Sequence, residues 1–70
     1  MKRFCRSKGG EPSEYREVPE VDAFIAEIDA VCKKHGMSIS HEDNHGAFLI
    51  EDYRESNIGW LEQAADERVL

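Results

Sequence analysis

Between Gly36 and Tyr53, apolar and polar positions alternate in two short runs around a polar cluster. Met37 and Ile39 alternate with Ser38 and Ser40, and Phe48 and Ile50 with Ala47, Leu49 and Glu51. A period of two marks a strand with one buried face, and an Asp/Asn/Gly cluster between two such runs marks a turn. The segment is predicted as a β-hairpin. With Asp43 and Asn44 as the central turn residues, Ile39 faces Phe48 and Met37 faces Ile50. These four make the expected core face, with His41 continuing it at the rim. Ser38, Ser40, Ala47 and Leu49 fall on the opposite face, expected to point outward, with Glu42, His45 and Glu51 around it.

A different period precedes the hairpin. Val21, Phe24, Ile25, Ile28, Val31 and Cys32 recur at three- and four-residue spacing, the pattern of an amphipathic helix. Pro19 and Glu20 suit its first turn, Lys33, Lys34 and His35 its last, and Gly36 the left-handed residue that ends it. A second helix is predicted from about Asp52–Ser56 to about Arg68, with Ile58, Leu61 and Ala65 inward and Trp60 on the flank. Asp52 and Glu55 have the spacing of a capping box for it. The expected fold is a small two-layer α+β domain, helix–β-hairpin–helix, occupying residues 15–70. Residues 1–14 contain a Gly9-Gly10-Glu11-Pro12-Ser13 break and read as flexible or weakly structured. Alternatively, Lys2–Arg6 and Tyr15–Val18 each form a short strand, one of them covering a free edge of the hairpin.

Seventy residues make one domain with a small core, and such chains usually need a staple, a metal or a partner subunit. Self-association is the simplest of these, so a homodimer is expected. Its seam would be the hairpin edges or the outward Ser38/Ser40/Ala47/Leu49 face. The two cysteines, Cys5 and Cys32, are too few for a disulfide framework, although a single bridge between them is compatible with the spacing. The basic start has no apolar run behind it, so a reduced, cytoplasmic setting is expected. No run approaches the length of a membrane span.

Charge narrows the partners. Residues 1–8 carry Lys2, Arg3, Arg6 and Lys8 and no acid, while all fifteen acids fall in the remainder. A chain with net charge −6 repels phosphate backbones, which argues against direct nucleic-acid backbone binding. An acidic body either engages a basic partner surface or serves solubility alone.

The hairpin also holds the residues with chemical potential. His41, Asp43 and His45 are ligand types for zinc, but the predicted register sends the two rings to opposite sides of the sheet. No metal or other cofactor is expected. Ser38 and Ser40 lack a nucleophile-elbow setting and an evident base, so no catalytic residue is assigned and the protein is read as a non-enzyme. What remains is a candidate binding surface: Ser38, Ser40, His41, Glu42, Asp43, His45 and Leu49 on the hairpin, with Trp60 beside it.

The run from Ile28 through Lys34-His35-Gly36, Ser38-Ile39-Ser40-His41-Glu42-Asp43 and His45-Gly46-Ala47-Phe48 to Asn57-Ile58-Gly59-Trp60-Leu61 carries a resemblance. It resembles a group of short bacteriophage and prophage proteins with a helix ending in K-H-G, an S-I-S-H-E-D-x-H-G-A-F hairpin and an N-I-x-W-L helix. The resemblance covers about half the chain and excludes the first nineteen residues. It implies a viral accessory protein in the host cytoplasm, of a class rich in counter-defence inhibitors. The expected action is stoichiometric inhibition of a host defence protein. The alternative is sequestration of a nucleotide signal at a dimer seam lined by serines and rimmed by histidines. A more distant likeness to small toxin endoribonucleases, which place a histidine on a sheet after a helix, would make His41 and His45 catalytic. Their G-S-H-H type signature is absent here.

Overall fold

A computed structural model describes residues 1–6, 13–41 and 46–68. The chain runs β1 (Lys2–Cys5), β2 (Glu14–Glu17), α1 (Pro19–His35), β3 (Met37–His41), β4 (Phe48–Asp52) and α2 (Glu55–Glu62). It is a small α+β protein with two separate antiparallel two-stranded sheets, β1–β2 and β3–β4.

The first helix forms as its sequence dictates. Pro19 takes the first turn, where its missing N–H is not needed, and Glu20 and Asp22 complement the positive end of the dipole. No side chain caps it; instead the Val18 carbonyl accepts the Val21 and Asp22 N–H groups at 3.0 and 3.1 Å. Gly36 ends the helix at φ 67°, a left-handed conformation that glycine adopts without a Cβ penalty. Its own backbone then starts the next element, because the Gly36 carbonyl accepts Tyr53 N–H at 2.9 Å and extends the β3–β4 ladder by one rung.

The hairpin forms, but its register lies two residues away from the one the turn chemistry suggests. Ile39 faces Ile50, Ser40 faces Leu49, His41 faces Phe48, and Met37 faces Asp52. An even shift preserves which residues share a face, whereas an odd one would have exchanged them. Gly46 and Ala47 consequently leave the ladder, and Gly46 sits at φ 69°. The expected Asp43-Asn44 turn lies outside the described residues.

Which face is inward is the reverse of the expectation. Ser38 is fully buried, while Met37, Phe48 and Ile50 are 52, 69 and 69 % exposed. The backbones of both helices approach β3 closely and β4 does not share in that approach, so β4 stands as the outer strand. The buried apolar side chains are Ile25 and Cys32 of α1, Ile58 of α2, and Cys5 and Val18, with Ile28, Ile39 and Leu61 half-buried. Phe24 and Val31, expected inside, lie on the exposed side of the α1 stripe. The connections supply the reason. Gly36 alone joins α1 to β3, and Tyr53-Arg54 alone joins β4 to α2. Links this short hold α2 against the serine face, where Asn57 finds its partners.

The second helix is shorter than its sequence pattern. Asp52 belongs to β4 and the N-cap is Arg54, with no side-chain cap bond, so the capping box does not form. The helix stops at Glu62 because the chain beyond it is taken up elsewhere. Arg3 of β1 donates to the Glu62 and Ala64 carbonyls at 3.1 and 2.9 Å. Asp66 then bridges in parallel to Cys5, through Asp66 N–H to Phe4 carbonyl at 2.8 Å and Arg6 N–H to Asp66 carbonyl at 2.9 Å.

Within the segment expected to be flexible or weakly structured, Lys2–Cys5 is a strand that buries Arg3 and Cys5. It pairs with β2, so neither strand covers an edge of the β3–β4 hairpin. Both cysteines are free and buried.

Candidate binding surface

The two sides of the β3–β4 hairpin have opposite character. On the inner side, the Ser38 hydroxyl donates to the Asp52 carbonyl at 2.7 Å and accepts from Asn57 Nδ2 at 2.9 Å. Asn57 Nδ2 also donates to Glu51 Oε1 at 3.1 Å. Hydrogen bonds from Ser40 and then Asn57 hold the Glu51 carboxyl below its usual range, against a smaller opposing effect of desolvation. Ser38, Ser40, Glu51 and Asn57 thus form a satisfied polar lock between hairpin and α2. A hydroxyl committed in this way is not presented to a ligand.

On the outer side, the end of the hairpin meets α2 in a cluster of rings. His41 packs edge-on to Phe48 with centroids 5.9 Å apart, and lies 6.1 Å from Trp60 at a tilt of 32°. Pairing brings the first two together, since His41 and Phe48 face each other across the ladder. With Leu61, Gln63 and Ala64 they line an open cleft of about 510 Å³. Phe48 is largely exposed and Trp60 about half exposed, so the cleft is floored by apolar ring surface in contact with solvent.

A polar junction ties the first sheet to the helices. Arg3, almost wholly buried, forms an ion pair with Asp22 besides capping α2. Its guanidinium holds the Asp22 carboxyl below the ordinary range. Nearby, burial pushes the Asp29 carboxyl upward, and its Oδ1 is buried without a hydrogen-bond partner.

Of the residues singled out from the sequence, His41 and Trp60 are brought together. Ser38 and Ser40 are on the opposite face, with Ser38 bonded to Asn57 at the start of α2, and Leu49 shares that face while remaining partly exposed. The expected outward serine face is therefore corrected to an inward one, because Asn57 occupies it. Glu42, Asp43 and His45 lie outside the described residues. Three residues carry more than their sequence indicated: Phe48, expected in the core; Asn57, given no site role; and Arg3, in a segment expected to be either flexible or weakly structured or a short strand. Phe48 alone had a usable signal, since its alternation places it on the same face as His41.

Among the described residues no group of three or more His, Cys, Asp or Glu side chains is placed to hold a metal ion. Among the described residues no helix is long and apolar enough to cross a membrane. No protein-family model, curated protein or solved structure matches this chain.

Proposed function

We propose that the protein acts by stoichiometric binding of another protein, taking an apolar side chain of that partner into the His41/Phe48/Trp60 cleft. The observation carrying this reading is the exposed ring cluster itself. A monomer gains nothing from leaving such surface in water, whereas a partner that covers it removes apolar area at about 25 cal/mol per Å². The net charge of −6 favours a partner with basic residues flanking its apolar anchor. The resemblance to bacteriophage accessory proteins points to a host defence component in the cytoplasm as that partner. The action is then that of a non-enzymatic inhibitor that works by occupying a surface.

A second reading follows from the same rings. A nucleobase would stack on Trp60 and His41, each contact worth about 1–3 kcal/mol. It does not use the serine seam, since Ser38 is buried. Trp60 is the only tryptophan, so its emission reports on the cleft directly. Titration with short basic peptides centred on Leu or Phe is expected to give a saturable blue shift that Phe48→Ala abolishes. A shift with cyclic or linear nucleotides and none with peptides would replace the protein partner by a nucleotide. Turnover of RNA or DNA that disappears in His41→Ala would make the protein a nuclease and overturn both readings.

A further inference from the structure

We infer that the free edge of β4 is a docking site for an extended segment of a partner protein, which joins the β3–β4 sheet as a third strand. This occupant is the protein partner proposed for the ring cleft, and so rests on that reading; what is added is its conformation and its pattern of side chains. Among the described residues β4 pairs with β3 alone, and no strand lies on its other side. Four of its five residues are exposed, and Glu51 is half-buried.

The backbone of β4 specifies what fits there. Tyr53 N–H donates to the Gly36 carbonyl at 2.9 Å, and the direction of hydrogen bonding alternates residue by residue along an antiparallel strand. Leu49 and Glu51 therefore turn their N–H and carbonyl groups to β3, while Phe48 and Ile50 turn theirs to the open edge. An extended chain meets a row of donors and acceptors at this spacing; a helix, whose backbone groups bond one another, does not. Sheet edges are commonly guarded against such pairing by lysine, proline or a bulge. The strand Phe48–Asp52 contains no Lys or Pro, and it pairs with β3 one residue to one. The first sheet differs, since its strands carry Lys2 and Arg16.

Side chains set the pattern of the incoming segment. Phe48, Ile50 and Asp52 alternate onto one face of β4, and all three are exposed. A strand laid at about 4.8 Å from β4 sets its own alternate residues against this row. Two apolar residues suit Phe48 and Ile50, and a Lys or Arg suits Asp52, because opposite charges favour a cross-strand pair. The same row disfavours a second copy of this chain. Paired antiparallel with itself about Ile50, β4 sets Asp52 against Phe48 twice and supplies no cation. Phe48 also joins the edge to the cleft. His41 meets its ring from β3, and the added strand meets it from the other side.

The probe is a peptide in which leucine alternates with threonine and the last apolar position is replaced by lysine. Two signals are read: Trp60 emission for the cleft, and amide hydrogen exchange of Phe48 and Ile50 for the edge. The peptide is expected to slow exchange of both amides, because their N–H groups gain partners. Two further peptides carry N-methyl groups on one or the other alternate set of residues. One of them is expected to bind about tenfold more weakly and the other to bind as the parent does, since a strand turns every second N–H to a given neighbour. Ile50→Pro removes an edge-facing N–H and is expected to weaken binding similarly, whereas Ile50→Val is not. Should Ile50→Pro unfold, the methylated peptides on wild type still decide. Equal affinities of the two methylated peptides overturn the inference, and a Trp60 shift in that case leaves the cleft reading standing. Protected β4 amides without a Trp60 shift do the reverse. Neither signal overturns both. Protection that grows with protein concentration in the absence of peptide gives the edge to a second copy and overturns the inference.

Discussion

The β1–β2 and β3–β4 hairpins are both short antiparallel pairs, and each buries a polar side chain, Arg3 or Ser38, while leaving large apolar ones outside. In β1–β2 the inner residues are Arg3 and Cys5, while Phe4 and Tyr15 pack edge to face at 5.6 Å on the outside. In β3–β4 the inner residue is Ser38, while Met37, Phe48 and Ile50 lie outside. What differs is how each inner face is satisfied. Ser38 exchanges two neutral hydrogen bonds with its immediate surroundings, Asn57 and the Asp52 carbonyl. Arg3 reaches from the start of the chain to both ends of the molecule's helical layer, to Asp22 in the first turn of α1 and to carbonyls at the end of α2. One lock fastens a hairpin to the element that follows it. The other fastens the first strand to the last helix. The charged Arg3 side chain, together with the backbone bridge from Cys5 to Asp66, ties the N-terminal sheet to the rest of the domain.

The largest effect should come from breaking that charged lock. Arg3→Ala removes the cap of α2 and leaves Asp22 and two carbonyls short of a donor. Loss of one partner of a buried pair costs about 3–5 kcal/mol. Because Asp22 is about one-third exposed, a loss of about 2–4 kcal/mol is expected for Arg3→Ala in urea unfolding. A change below about 0.5 kcal/mol, typical of a surface residue, would mean that the N-terminal sheet is not coupled to the helices.

Removing the neutral lock should cost less. Ser38→Ala strands the Asn57 amide at one of its two contacts and is expected to cost about 1–2 kcal/mol. Asn57→Ala should cost a similar amount. The two losses should be non-additive in a double-mutant cycle, since both residues belong to one network. Additivity within about 0.3 kcal/mol would separate them.

Acid should weaken both locks together. The folded values of Asp22 and Glu51 lie below their ordinary ones, so each adds stability that is full above about pH 4 and fades as pH falls through the depressed values. Asp29 acts in the opposite sense. Its folded value is raised, so it takes up its proton in the folded state first and gains stability as pH falls toward the ordinary carboxylate range. Asp29→Asn is therefore expected to be most stabilising near neutral pH, with the gain shrinking on acidification. A gain independent of pH would mean that the Asp29 carboxyl is not desolvated.

The smallest effect concerns the outer faces. Tyr15→Ala removes one edge-to-face pair and should cost about 0.5–1.5 kcal/mol. If the loss instead grows with protein concentration, the Phe4/Tyr15 face is also an interface.

The sequence by itself determined the elements whose causes are local. Pro19, the acid-then-base charge order and Gly36 set both ends of α1, and alternation set the membership of each face of β3–β4. It also brought out His41 and Trp60, two of the three rings in the candidate cleft. Tertiary structure decided the rest. Alternation says which side chains share a face but carries no information on which face is covered, and a register slip by two leaves the pattern intact. The choice fell to Asn57, whose side chain pairs with Ser38 and Glu51 once a two-residue link has set α2 beside the hairpin. Likewise nothing near Glu62 in sequence signals the end of α2, because its cap is contributed by Arg3, separated from it by almost the whole chain. Polar partners that satisfy a buried group from a distance leave no periodic trace, and here they determined the inner faces of both sheets.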